Sequence, residues 1–153
     1  MENELYKIMA IDPGAERIGV AISDFTATIA NPFTVFKHVQ RNKDAERIVT
    51  IALENSVKLI VIGQAFYSNG EPNPSGRKSA RLADAIMQIT EIPVILWDED
   101  ESTQLARKAR KEMCVKKKKQ ITHMDDLAAS IILQSYLDSL PKNSIYSNQS
   151  LEP

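Results

Sequence analysis

The sequence predicts an α/β fold, a mixed sheet with helices on both faces. Three observations lead there. Three short strand-like runs separated by turn signals occupy the first forty residues, which reads as an antiparallel meander. Beyond residue 43 the apolar period becomes that of amphipathic helices alternating with short continuous apolar runs, the pattern of βα units with parallel strands. No internal repeat and no break in composition interrupts the series, so one sheet accounts for all of it.

Each element follows in turn. Tyr6–Ile11 (YKIMAI) is short and apolar and stops at Asp12-Pro13-Gly14, a strong turn signal. Ile18–Ser23 (IGVAIS) comes soon enough afterwards to be its hairpin partner. Asn31-Pro32 punctuates, and Phe33–Val39 is rich in β-branched and aromatic residues. Asp44–Asn55 places Ala45, Ile48, Val49 and Ala52 on one helical stripe. Leu59–Gly63 (LIVIG) is a continuous apolar run, as expected of a strand covered on both faces. Gln64–Gly76, with two glycines and two prolines, reads as a long loop of the functional or mobile kind. Ser79–Ile89 is a second helix, Pro93–Trp97 a buried strand, Glu101–Met113 a charged helix and Lys116–Thr122 a basic connector. Met124–Leu140 is a last helix, apolar on much of its circumference and stopped by Pro141. One domain over residues 1–140 is expected, with a disordered polar tail over 141–153.

Composition narrows the class. The 153 residues are 43% hydrophobic and 25% charged, close to globular averages. A single cysteine, Cys114, excludes an internal disulfide framework and suits a reducing compartment; it reads as a small packing residue. The polar start has no secretory apolar core, and no apolar run reaches the roughly 18 residues of a membrane span. A cytoplasmic location and no membrane partner are expected, while the oligomeric state is left open. Net charge is −1, but it is unevenly spread. Residues 91–101 hold five acids and no base; residues 107–119 hold eight bases against Glu112. By itself such separation reads as two solvated faces; with further support it suits a polyanion-binding surface beside an acidic site.

The acids fall at places of interest. Asp12 ends the first strand, Asp98 and Glu99 end the last, and Asp125 and Asp126 open the last helix. Ligands of open α/β sheets gather at the carboxyl ends of strands. Clustered carboxylates repel one another unless cations neutralise them, and Mg²⁺ or Mn²⁺ prefers such oxygen donors. A pair of these ions can activate water against a phosphodiester. Adjacent strand residues face opposite ways, so only one of Asp98 and Glu99 reaches a shared centre. Asp126 reads as a helix-terminus charge. His123 is a possible accessory to a phosphate or water, as is Asp98, whereas His38 reads as a strand residue with no special role. Lys116, Lys117, Lys118 and Lys119 would grip a phosphate backbone with salt-sensitive affinity.

The segment Ala10–Asp24 (AIDPGAERIGVAISD) closely resembles the opening of the YqgF (RuvX-like) family. The resemblance continues through LIVIG at 59–63, PVILWDE at 93–99 and DDLAASIILQSYLD at 125–138. It implies an RNase H-like fold with a five-stranded mixed sheet flanked by helices. It implies Asp12, Glu99 and Asp125 as catalytic, metal-holding acids with two Mg²⁺ or Mn²⁺ ions, and Arg17 as a phosphate contact. Gly19 in the same motif would permit close packing. Two departures stand out: Asp100-Glu101 replaces a family Arg-Leu, and Gln64-Ala65-Phe66-Tyr67 replaces Leu-Pro-Leu-Asn. The function implied is a metal-dependent endonuclease on structured nucleic acid. Processing of the 5′ end of pre-16S rRNA comes first and resolution of four-way DNA junctions second. A non-catalytic nucleic-acid-binding ribosome-assembly factor is the alternative from another class. An actin-like ATPase fits poorly, because one chain of this length lacks the second domain such enzymes place around the nucleotide.

Overall fold

A computed structural model of the chain describes residues 5–98 and 124–141, with 124–126 described by their backbone alone. The predicted helix at 101–113, the basic connector, Cys114, His123, Glu99 and the tail beyond 141 lie outside the described residues. The described elements are β1 (Lys7–Pro13), β2 (Arg17–Ser23), β3 (Ala30–Lys37), α1 (Arg41–Glu54), β4 (Val57–Gln64), α2 (Pro74–Met87), β5 (Val94–Asp98) and α3 (Met124–Ser139).

One five-stranded sheet runs in the order β3-β2-β1-β4-β5. The pairs β1–β2 and β2–β3 are antiparallel; β1–β4 and β4–β5 are parallel. The mixed sheet is therefore the one expected from a meander followed by βα units. The central strands β1 and β4 are buried on both faces, which explains why they read as continuous apolar runs instead of alternating ones.

Side-chain parity divides the core into two layers. Met9, Ile11, Ile18, Val20, Ile60 and Ile62 pack with α1 and α2 on one face. Ile8, Ala10, Ala21 and Val61 pack with Ala129, Ile132, Leu133 and Leu137 of α3 on the other. The α3 layer is built on alanines at the sheet surface, so the helix can sit close. Two polar ties fix it there. The Gln134 amide accepts from Ala30 N–H and donates to Thr28 O, both at 3.0 Å. The Trp97 indole N–H donates to Ser135 Oγ at 3.2 Å, and its ring meets Tyr136 edge-on at 5.2 Å.

Several boundaries differ from the sequence reading, each for a local reason. Strand β3 begins at Ala30 and runs through Asn31-Pro32, which had read as punctuation. As an edge strand it tolerates a proline, and the register shift opposite Val20/Ala21 lets Pro32 sit beside Ala21. Helix α2 begins at Pro74, not Ser79. Asn73 caps it by accepting from Gly76 N–H at 2.8 Å, and Pro74 occupies the first turn, where a missing N–H costs nothing. The segment before it is more ordered than a bare loop. Phe66 bridges Pro72, and Tyr67 N–H donates to Glu71 O at 2.7 Å. A side chain at Gly76 would collide with the Ala65 carbonyl oxygen.

Candidate nucleic-acid cleavage site

Asp12 lies one residue before the end of β1. Parity with Ile8 and Ala10 puts it on the α3 face of the sheet. Its cross-strand partner on β2 is Gly19. On the other side Gly63 follows Ile62, the partner of Ile11. Gly63 shares the α3 face with Val61. Both flanking positions on the carboxylate's face are thus bare of side chain. The same row continues outward to Val35 on β3 and Trp97 on β5. The middle of the sheet accordingly presents one acid on a floor of backbone.

The turn after Asp12 is equally restricted. Gly14 N–H donates to Arg17 O at 2.9 Å. A Cβ on Gly14 would approach that oxygen to 2.5 Å, closer than real contacts allow. Sequence reading saw the turn; its glycine is required by this approach. Arg17 opens β2 on the same face as Gly19 and is exposed.

Asp125 stands in the first turn of α3, the helix packed on Asp12's face. Glu99, Lys116, Lys117, Lys118, Lys119 and His123 lie outside the described residues. Asp98 is not brought to the site. Ile95 and Trp97 pack with the α3 layer and Val94 with the opposite one, so Asp98 faces away from Asp12. Among the described residues no group of three metal-ligating side chains converges.

His38 is the residue that sequence reasoning missed. Far from being without a role, its Nδ1 bonds the carboxylate of Asp44, which is 3% exposed. The other Asp44 oxygen accepts from Val39 N–H at 3.1 Å. The pair locks the β3–α1 connection just past the hairpin end of β1. His38 N–H also reaches Glu16 O at 2.9 Å, tying that connection to the hairpin turn itself. The available signal was weak: an acid in the first turn of a helix, six residues after a histidine.

Comparison with known proteins adds the family. The model of the RuvX family, described as Holliday junction resolvase, matches residues 6–139. The chain belongs to the RuvX family. A relative from Thermoanaerobacter pseudethanolicus, named "Putative pre-16S rRNA nuclease", is 40% identical over 134 residues, covering 87% of this chain and 96% of its own length. A relative of the same name from a Roseiflexus species is 34% identical, covering 91% of this chain and 99% of its own. Among solved structures, Thermus thermophilus RuvC in complex with a Holliday junction superposes with a TM-score of 0.54 at 14% identity, covering 86% and 96% of the two chains. The fowlpox virus Holliday junction resolvase gives 0.55 at 16% identity, covering 88% and 99%. At such identities these two structures bear on the fold alone, and they make it RNase H-like. No described helix of the RuvX chain is long and apolar enough to cross a membrane.

Proposed function

We propose that this RuvX protein is a metal-dependent endonuclease that hydrolyses phosphodiester bonds in structured nucleic acid, with the 5′ end of pre-16S rRNA as its substrate. The carrying observation is the placement of Asp12. It stands at the carboxyl end of the central strand β1, between Gly19 and Gly63 on neighbouring strands, on the sheet face against which α3 packs, the helix whose first turn holds Asp125. The names of the relatives point to the RNA substrate, and resolution of four-way DNA remains the competing substrate for the same site.

The donor set assigned here is Asp12, Glu99 and Asp125, all hard oxygen ligands of the kind Mg²⁺ and Mn²⁺ select. The two-residue period of a strand favours Glu99 over Asp98, because Asp98 faces the α1/α2 layer. Two such ions, when bound, supply an activated water and stabilise the leaving oxygen. The chain's own part is to hold its acids in fixed positions and to keep the approach to them clear. The pairing of Asp12 with Gly19 and the alanine seat of α3, whose first turn holds Asp125, support that role. Arg17, Lys116, Lys117, Lys118 and Lys119 are assigned to the phosphate backbone, a cytoplasmic polyanion being the partner.

Cleavage of a pre-16S rRNA fragment and of a four-way DNA junction, each with Mg²⁺ or Mn²⁺, tests the assignment. Asp12→Asn and Asp125→Asn should each lower turnover by more than the roughly 10–100-fold that loss of an outer-shell partner costs. Both should leave salt-sensitive binding in place. Activity surviving both substitutions would put the chemistry elsewhere, and binding without any cleavage would favour an assembly factor.

A further inference from the structure

We propose that the outer part of the β2–β3 ribbon is a binding site for an unpaired nucleotide segment of the substrate, with Phe33 as a stacking platform and Arg17 and Lys37 as its phosphate contacts. The inference rests on the nuclease reading above and adds the strandedness of what it takes. An open groove of about 940 Å³ runs along this ribbon, and Arg17, Phe33, Val35, Lys37 and His38 line it. Glu16 is the carboxylate that lines it among the described residues.

The register makes the cations unusual. Arg17 and Lys37 are directly opposite one another in the antiparallel ladder, an arrangement of like charges that costs stability. Among the described residues neither takes part in an ion pair or a side-chain hydrogen bond that would offset the repulsion. A lysine on an edge strand guards against edge-to-edge aggregation, which accounts for Lys37 alone but not for the arginine facing it. A bound phosphate between them accounts for both.

Phe33 supplies the second half of the site. It is the extra residue of the bulge in β3, between Thr34, paired with Val20, and Pro32, paired with Ala21. It is 49% exposed, although the other phenylalanine of the strand, Phe36, is buried in the core. Bulges re-aim a side chain, and here the re-aimed one is a flat aromatic surface. Along β3, Val35 marks the level of Asp12 through Gly19. Lys37 lies two residues to one side and Phe33 two residues to the other, each about 7 Å away at the rise of a strand. The scissile level thus falls between the cation pair and the ring. A base stacked on Phe33 has no duplex partner, so the chemistry specifies a single-stranded stretch beside the cleaved bond.

The test is fluorescence anisotropy of the full chain in EDTA with a labelled single-stranded RNA and with a blunt RNA duplex of equal length. Stacking on aromatic side chains is worth enough per base that Phe33→Ala should weaken single-strand binding about tenfold. Duplex binding should stay within twofold, and Phe33→Trp should retain the single-strand affinity. Lys37→Gln should reduce the salt slope of single-strand binding by about 0.7. Thermal melts check that each variant remains folded. Single-strand binding unchanged in Phe33→Ala, or an equal loss on both ligands, overturns the site. Selective loss in a protein that never cleaves would keep the site and remove the nuclease reading; Asp12-dependent cleavage with no selective loss does the reverse.

Discussion

Asp24, which closes the opening motif, is held charged by its own loop. Burial pulls its pKa up, but the Ile29 N–H, the Thr26 hydroxyl and the Thr28 N–H outweigh that and bring it from 3.8 to about 2. A carboxyl whose folded pKa is depressed stabilises the fold above its unfolded pKa and loses that contribution as pH falls through the folded one. The window is therefore between about pH 4 and pH 2. Wild type should melt above Asp24→Asn at pH 7, and the two melting temperatures should converge as pH falls from 4 to 2; a gap that stays constant would show that the carboxylate charge is not what the loop holds. At this scale the sequence marked Asp12 as a candidate, because an acid between an apolar strand and a Pro-Gly turn is a recognisable local pattern, although the same pattern also suits a turn residue. It was silent on why Gly63 matters and brief on Gly19. Their role depends on which residues of neighbouring strands stand beside Asp12, a fact of register that no short window contains.

Elements meet through contacts that the sequence pattern does not carry. The β3–α1 connection depends on Asp44, whose carboxylate is satisfied by His38 and Val39 N–H although Gln40 makes no side-chain cap for the helix. Hydrogen bonds to a charged group are worth about 1.5–3 kcal/mol, and an orphaned donor adds its desolvation cost. Asp44→Ala should therefore cost about 2–3 kcal/mol, lowering the melting temperature by about 4–12 °C for a domain of this size. A drop of under 2 °C would mean that the buried pair is incidental. The same dependence on contact explains the misplaced boundaries. The periodic parts of α1 and α2 were legible from their apolar stripes. The first turn of α2 was not, because Pro74-Ser75-Gly76 lacks a stripe and is helical through the Asn73 cap and the Ala65 carbonyl against Gly76. Strand β3 was hidden by Pro32, which only an edge position with a bulge can accept.

At the scale of the whole molecule the topology was the most legible property, since a meander followed by βα units leaves few ways to order five strands. Helices on both faces were expected too, but not which helix takes which face, and the proposed site depends on that. One layer, with α1 and α2, is ordinary core. The other seats α3, whose first turn holds Asp125, on Ala10 and Ala21 through Ala129, and under the proposed function that seat sets the spacing between Asp125 and Asp12. Adding volume to the two layers should then have different consequences. Ala129 and Ala52 are both fully buried, Ala52 on α1 in the opposite layer. Ala129→Leu and Ala52→Leu should each cost about 1–3 kcal/mol through overpacking and lower the melting temperature to a similar degree. Their turnover should separate them. Displacing a catalytic group by about 1 Å can cost 100-fold, so Ala129→Leu should lose roughly that much in kcat while Ala52→Leu keeps kcat within about threefold. Both are measured well below their melting temperatures, with the folded fraction checked by circular dichroism. Equal loss in the two variants would mean that turnover tracks stability alone, and that the seat of α3 does not set the distance between the acids.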